Sequence, residues 1–238
     1  MSDADAAPGP AAETAAANGS EAPKALPLFY GRPEVLEANR HAGLRLGPHD
    51  GYGFAAGATA IPLNVAEFAR AATSYPIVFA GKESLSPVAV LGLRRGQNLF
   101  VDPATGAWEA EAYVPAYARR YPFILTRPDA ERDQVMLCVD RACPRLSEQE
   151  GSPLFEDRQP SETARNALEF CLTFQRQAIA SEQVTAALKA AGVLQAQEGT
   201  VELGAGETLR LTDFHVVDEA KLNALSDGMI AAVTAQFS

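Results

Sequence analysis

The chain has 238 residues, a formal net charge of −10 at pH 7, 47% hydrophobic residues and 21% charged residues. This length suits one large domain or two small ones, and the composition is typical of a globular protein whose core needs no disulfides or metal. The net charge argues against a nucleic-acid partner, because binding phosphates requires a basic face. No apolar stretch approaches the roughly 20 residues of a membrane-spanning helix.

The N-terminal region differs in composition from the rest of the chain. Residues 1–25 are rich in Ala and Pro and contain no aromatic residue, so we expect a disordered tail. They show no basic segment followed by an apolar one, which predicts no signal peptide and a cytoplasmic location. We expect one domain over residues 26–238, β-rich to about 145 and helical with a hairpin from about 160.

The β-rich part consists of short apolar runs between Gly and Pro residues. A short helix is predicted at Val65–Ala72, with Asn64 as its N-cap. The run at 99–101 is expected to form a hairpin with the run before it, around a turn at 95–98. A second hairpin is expected around the polar link at 127–133. The predicted strands are Tyr75–Ala80, Val88–Leu93, Leu99–Val101, Ile124–Thr126 and Gln134–Val139.

Helical periodicity follows Pro160. Ser161 is predicted to cap a helix to about Ile179, and Ser181 to start a second helix that ends at Gly192. The residues expected on the inner face of the first helix are Leu168, Cys171, Leu172, Ala178 and Ile179. A hairpin is then predicted from Thr200–Leu203 and Thr208–Leu211 around Gly204–Gly206, extended by Phe214–Val217, with a last helix from Asp218 to Leu225.

Cysteine and histidine spacing gives no metal site. Cys138, Cys143 and Cys171 are odd in number and lack Cys-x-x-Cys spacing, which argues against a disulfide framework or a zinc pair, and Cys138 is expected in the core. The three histidines show no ligand spacing either. Two of them are expected in an exposed loop and the third on a strand face; they are His41, His49 and His215. We therefore predict neither a metal nor a cofactor.

Motifs for nucleotide binding and for nucleophilic catalysis are also missing. There is no Gly-x-Ser-x-Gly elbow and no phosphate-binding loop. The segment Gly51–Gly57 has two glycines at dinucleotide-loop spacing, but the third is misplaced and no buried strand precedes it, so we interpret it as a turn. These absences favour a non-catalytic protein.

The segment Trp108–Phe123 is the strongest candidate binding surface. Aromatic residues and arginine are enriched at interface hot spots. Tyr113, Tyr117 and Tyr121 recur at helical spacing within it, between two prolines. The alternative is an aromatic cluster that closes one end of the β core. The candidate binding residues are Trp108, Tyr113, Tyr117, Arg119, Arg120 and Tyr121.

Several separate blocks together resemble one family of bacterial proteins, the SapC family, over about residues 27–225. The order and approximate spacing of the blocks agree, including a Gly-x-x-Leu-Phe turn. The blocks that carry the resemblance are Tyr75–Phe79, Pro87–Gly92, Tyr113–Phe123, Gly151–Phe155 and Leu211–Asp218. The resemblance implies an association with the bacterial surface layer, in a setting of outer-membrane receptors, halogenase-like proteins and cupin-type oxygenases. It supplies no catalytic residues.

These observations lead to three functional hypotheses. The first is a non-catalytic interaction protein, an accessory factor of cell-surface or outer-membrane uptake systems that binds a protein partner. The second is a small-molecule-binding protein or an enzyme that acts with a neighbouring oxygenase or halogenase, with Tyr117, Arg119, Arg120 and Asp140 as its first candidate polar groups. The third is a structural subunit of the surface layer. The cell-surface location follows from the family resemblance alone, and the oligomeric state is left open.

Overall fold

The computed structural model describes residues 26–127, 135–203 and 207–225. The predicted tail at 1–25 lies outside this part of the chain. Five α-helices are described: α1 (Ala38–His41), α2 (Phe68–Ala71), α3 (Ala116–Arg119), α4 (Glu162–Ala190) and α5 (Glu219–Asn223). The strands are β1 (Pro33–Val35), β2 (Arg45–Leu46), β3 (Ala60–Pro62), β4 (Ile77–Ala80), β5 (Ser86–Val90), β6 (Phe123–Thr126), β7 (Met136–Asp140), β8 (Leu146–Ser147), β9 (Ser152–Pro153), β10 (Phe155–Glu156), β11 (Gln159–Pro160), β12 (Leu194–Leu203) and β13 (Glu207–Val217).

All strand pairs among these residues are antiparallel. The largest sheet has five strands in the order β12-β13-β4-β5-β3, and a second has the order β1-β7-β6. A three-stranded sheet, β8-β2-β9, and the pair β10-β11 are smaller. Helices packed beside antiparallel sheets make this an α+β fold, which confirms the predicted class.

Most predicted elements are present. β6 and β7 form the second hairpin, and β12 pairs with β13 over almost its whole length. The turn at 204–206 lies outside the described residues. Helix α4 begins after Ser161, whose hydroxyl accepts the N–H of Ala164, and Asp218 caps α5 in the same way through Lys221. A 3₁₀ turn and then α2 follow Asn64, where the short helix was predicted.

The prediction of two helices after Pro160 is wrong. Residues 162–190 form one helix of 29 residues, and Gly192, with φ +69°, follows its end. The hydroxyl of Ser181 donates to the carbonyl of Gln177 at 2.7 Å and accepts the N–H of Val65 at 2.8 Å. Ser181 therefore links the middle of the helix to the neighbouring segment at Val65. Its hydroxyl does not cap a new helix, and the helix continues through this residue.

Three further expectations are corrected. Residues 99–100 form a turn rather than a strand, because both edges of β5 are already paired, to β3 and to β4. Leu172 and Ile179 on α4 are 36% and 42% exposed, and the buried stripe runs instead through residues such as Phe174 and Val184. His41 is buried, because it ends α1, where its Nδ1 accepts the N–H of Glu37.

Helix α4 contributes to all three clusters of buried side chains. Phe174 belongs to the cluster that includes the aromatic segment, Cys171 to the cluster under β6 and β7, and Val184 and Leu188 to the cluster under β4. The apolar stripe of α4 thus covers the inner face of the five-stranded sheet, where Phe79 is 2% exposed. Among the described residues, no helix lies on the opposite face of the sheet.

Candidate functional site

The predicted binding segment lies mostly inside the molecule. Trp108 and Tyr117 are 9% and 6% exposed, Tyr113, Tyr121 and Arg120 are half-buried, and Arg119 is exposed. Aromatic rings contact one another from Tyr52 through Phe54 and Phe29 to Phe174, with centroids 4.3–6.0 Å apart. These contacts match the alternative reading of the segment as an aromatic cluster that closes the core.

The indole, hydroxyl and carboxylate groups at the centre of this cluster bond within the protein. The indole N–H of Trp108 donates to the hydroxyl of Tyr75 at 2.9 Å, and that hydroxyl donates to the backbone carbonyl of Tyr113. The buried carboxylate of Glu67 accepts the hydroxyl of Tyr113 at 2.9 Å and the N–H of Ala116 at 2.7 Å. Since each donor already has an acceptor, these atoms are not available to a ligand without breaking an internal bond.

The two arginines of the segment also contact its rings. The Arg120 guanidinium lies 4.1 Å from the ring centroid of Tyr117 and 4.4 Å from that of Phe174. Arg119 lies over Tyr113, 5.7 Å from the centroid, and its Nη2 donates to the Tyr113 hydroxyl at 3.0 Å. Cation–π contacts of this kind stabilise the fold and do not by themselves make a binding site.

Asp140, a candidate polar group of the second hypothesis, holds the chain before β1 in place. Its fully buried carboxylate accepts the N–H groups of Gly31 at 3.0 Å, Arg32 at 2.6 Å and Ala142 at 3.1 Å. It also accepts the hydroxyl of Tyr121 at 3.2 Å. Burial alone would raise the pKa of Asp140, but these donors outweigh burial and hold the pKa below its ordinary value. Asp140 is therefore a charged structural anchor.

Burial affects the hydroxyls of the tyrosines in and beside the segment. Burial raises the pKa of Tyr75 to about 12, and burial also raises the pKa of Tyr113, Tyr117 and Tyr121. All four hydroxyls stay protonated at neutral pH.

Among the six predicted residues, Trp108 borders an open groove of about 550 Å³, formed by residues 96–103 and 107–110 together with Ala56.

A second groove, of about 690 Å³, lies on the outer face of the five-stranded sheet. Its floor consists of side chains that point away from α4, including Val78 on β4 and Val88 and Val90 on β5. These three valines are half-buried and belong to none of the three buried clusters. An antiparallel sheet with one solvated face normally carries polar residues there, so this apolar outer face is a candidate binding surface.

A β-bulge shapes one wall of this groove. Gln197 pairs with Phe214, but Gly199 pairs with Leu211, so β13 has one residue more than β12 in this stretch. Asp213 has φ +62°, in the left-handed region that non-glycine residues seldom adopt. A bulge bends its strand, and both Leu211 and Phe214 line the groove. Bulges are frequent next to binding sites, and this one lies within the lining of the groove.

The charged residues of the groove differ in their pairing. Arg210 bonds to Glu198 at 2.5 Å, and this bond raises the pKa of Arg210. Asp213 lies 3.5 Å from Nζ of Lys82. Arg95 is exposed, lines the groove and has no ion pair or side-chain hydrogen bond with any described residue. Its guanidinium is therefore available to an anionic group.

Sequence reasoning missed these groove residues, although a signal was present. In the runs Ile77–Phe79 and Val88–Val90, apolar residues occupy consecutive positions, so both faces of each strand are apolar. We interpreted these runs only as buried strands. In an antiparallel sheet the same pattern also fits a strand whose outer face binds a ligand or partner.

The described residues limit the other kinds of site. Residues 26–127, 135–203 and 207–225 bring no three His, Cys, Asp or Glu side chains together as metal ligands. Within the same ranges, no helix combines the length and the apolar character needed to cross a bilayer.

The chain is an antiparallel α+β protein with an open apolar groove on its largest sheet. The family model for SapC matches residues 36–236, and the chain therefore belongs to the SapC family. Neither the curated proteins nor the solved structures include a significant match to it.

Proposed function

We propose that this chain is a non-catalytic binding protein and that it binds its partner or ligand in the groove on the outer face of the five-stranded sheet. The observation that carries the proposal is the apolar floor formed by Val78, Val88 and Val90, which no helix of the described residues covers. Burying apolar area contributes roughly 25 cal/mol per Å², so an occupant that covers this floor gains affinity from it.

The contrast with the aromatic segment supports this choice of site. The hydroxyls of Tyr75 and Tyr113 and the carboxylate of Asp140 are engaged within the protein. The valines of the groove are only half-buried, and the groove volume falls within the roughly 300–1,000 Å³ of small-molecule sites.

The proposal extends to the cellular role of the protein. We propose an accessory role in cell-surface or outer-membrane uptake systems, because the SapC resemblance implies a surface-layer association. A protein partner from such a system is one kind of occupant. The second candidate function is a small-molecule-binding protein that works with a neighbouring oxygenase or halogenase, and the volume of the groove favours it.

Fluorescence of Nile red, a neutral dye that brightens in apolar surroundings, tests the site. The wild-type chain is expected to bind the dye with saturation. Val88→Asp places a charge on the floor, and Ala80→Phe fills the floor without adding a charge. Both variants are expected to weaken dye binding at least about tenfold, since burying an unpaired carboxylate is costly and a filled groove has no room.

Leu172→Asp is the matched control, because Leu172 is an exposed apolar residue on α4, on the other side of the sheet. Circular dichroism and urea unfolding establish that each variant is folded. Equal dye binding by the wild type, Val88→Asp and Ala80→Phe would contradict the proposed site.

A pull-down from the native bacterium tests the cellular role. Affinity-tagged wild-type chain and the Leu172→Asp control are expected to recover an envelope or uptake component, and Ala80→Phe is expected to lose it. Recovery that does not depend on the groove variant would count against a protein partner at this site.

A further inference from the structure

Most backbone groups of the groove floor are used within the sheet. β5 is paired on both sides, to β4 and to β3, and β4 is paired to β5 along its length and to β13 at Phe79 and Ala80. Their N–H and C=O groups in the paired stretches are therefore used within the sheet. A peptide segment lying flat on Val78, Val88 and Val90 would leave its own backbone groups facing aliphatic side chains.

This arrangement favours a ligand whose body has no hydrogen-bonding groups. Burying an amide without a partner is unfavourable, whereas a hydrocarbon chain has no polar atoms to satisfy. The nearest wall residues that point into the same groove, Leu211 and Phe214, are also apolar. The interior of the groove thus matches an aliphatic tail better than a peptide.

The rim supplies a charge for the other end of such a ligand. Arg95 lines the groove and has no partner among the described residues, whereas Arg210 in the same lining is held by Glu198. A guanidinium binds a carboxylate with two parallel hydrogen bonds. The whole chain has a net charge of −10, but the guanidinium of Arg95 gives this part of the rim a positive charge. An anionic group is therefore favoured at Arg95.

We propose that the groove binds a single-chain aliphatic carboxylate from solution, with its hydrocarbon tail on the valine floor and its carboxylate on Arg95. The proposal rests on the groove being the binding site, as proposed above. It names the ligand by its chemistry: an unbranched apolar tail of medium length with one anionic head.

Displacement of Nile red tests the ligand class. Decanoate, used below its micelle concentration, is expected to displace the dye from the wild-type chain. 1-Decanol has the same tail without the charge and is expected to displace it more weakly. Acetate has the head without the tail and is expected to have no effect.

Variants of the rim test the position of the head group. Arg95→Gln is expected to weaken decanoate about fivefold to tenfold and to leave 1-decanol and Nile red unchanged, because the variant removes only the ion pair. Arg94→Gln is the matched control, since Arg94 is the adjacent arginine but does not line the groove. Added salt is expected to reduce the difference between decanoate and 1-decanol.

The outcomes separate this inference from the proposed function. Groove-dependent dye binding without displacement by decanoate would overturn the ligand and leave the groove as a site. Equal effects of Arg95→Gln and Arg94→Gln would overturn the assignment of the head group. Binding to vesicles of anionic lipid but not to monomeric decanoate, or a dimer that Ala80→Phe dissociates in sedimentation, would assign a different occupant and overturn the proposal. Loss of groove-dependent dye binding itself would remove the proposed function first.

Discussion

The segment Trp108–Phe123 and the outer face of the five-stranded sheet differ in residue type and in what their side chains contact. The segment carries Trp, Tyr and Arg, the residue types most enriched at interfaces, yet its rings and polar atoms contact other parts of the same chain. The sheet face carries valine and alanine, yet none of the described helices covers it. Interface-like composition therefore does not by itself show that a segment is free to bind a partner.

The largest expected effect compares one buried ring with one valine of the groove. Tyr117→Ala removes a ring that contacts Phe29, Phe174 and Arg120, and we expect it to lower the free energy of unfolding by about 3–5 kcal/mol. Tyr117→Phe keeps the ring, loses the hydroxyl that donates to the Leu28 carbonyl, and is expected to cost about 1 kcal/mol. Urea unfolding measures both. Val88→Ala in the groove is expected to lower the free energy of unfolding less than Tyr117→Ala does. The reverse order would contradict the view that the segment is core and the valine is part of an open surface.

The pH dependence of stability tests the role of Asp140. Its pKa is lower in the folded state than in the unfolded state, so its contribution is present above the unfolded pKa, about 3.9, and is lost as pH falls through the folded value. Asp140→Asn is expected to destabilise the protein by about 1–3 kcal/mol at pH 7, because a charged acceptor of three backbone N–H groups is lost.

Urea unfolding of the wild type and of Asp140→Asn at pH 7 and below pH 4 checks this expectation. The difference between the two proteins should narrow in acid. A difference that stays constant across this range would mean that the charge of Asp140 contributes nothing to folding.

Arg119 gives a smaller effect that separates structure from binding. It is an exposed residue of the predicted segment and contacts Tyr113 and Phe170. Arg119→Ala is expected to cost about 0.5–1 kcal/mol in unfolding experiments and to leave the affinity for Nile red unchanged. A normal stability combined with a large loss of dye or ligand binding would move the site back to the aromatic segment.

The smallest expected effect concerns the second arginine of the groove. Glu198→Gln releases Arg210 from its ion pair, and exposed ion pairs contribute little to stability, so the unfolding curve should not change. Decanoate should then bind slightly more tightly, because a second guanidinium becomes available beside the groove. Calorimetric titration measures this gain, and a weaker affinity would indicate that Glu198 itself supports the ligand.

Local sequence signals predicted much of the fold. Periodicity and capping residues predicted the β6-β7 hairpin, the pairing of β12 with β13, and the starts of α4 and α5. Expectations that depended on tertiary partners were wrong. Ser181 was predicted as an N-cap, but its hydroxyl accepts the N–H of Val65, which is distant in sequence. Leu99 was predicted in a strand that pairs with β5, but both edges of β5 are paired to other strands.

The candidate site was harder to predict for the same reason. The sequence placed Val78 and Val88 in apolar strands, but whether a strand face is covered depends on where α4 packs. The bulge at Asp213 depends on the pairing register of β12 and β13, which composition does not reveal. The sequence showed that Trp108 is a large amphipathic side chain. It did not show that the indole N–H donates to the hydroxyl of Tyr75, 33 residues away, and is therefore already bonded inside the protein.

The most direct test of the sheet face as the binding surface is one NMR titration with 1-anilinonaphthalene-8-sulfonate, an apolar dye that carries one negative charge. The chain contains a single Trp, so its indole N–H gives one assignable signal, and ¹³C-methyl labelling of valine reports on Val78, Val88 and Val90. We expect the methyl signals of these three valines to shift with saturation while the Trp108 indole signal stays in place. A shift of the Trp108 signal with unchanged valine methyls would contradict the account and return the site to the aromatic segment.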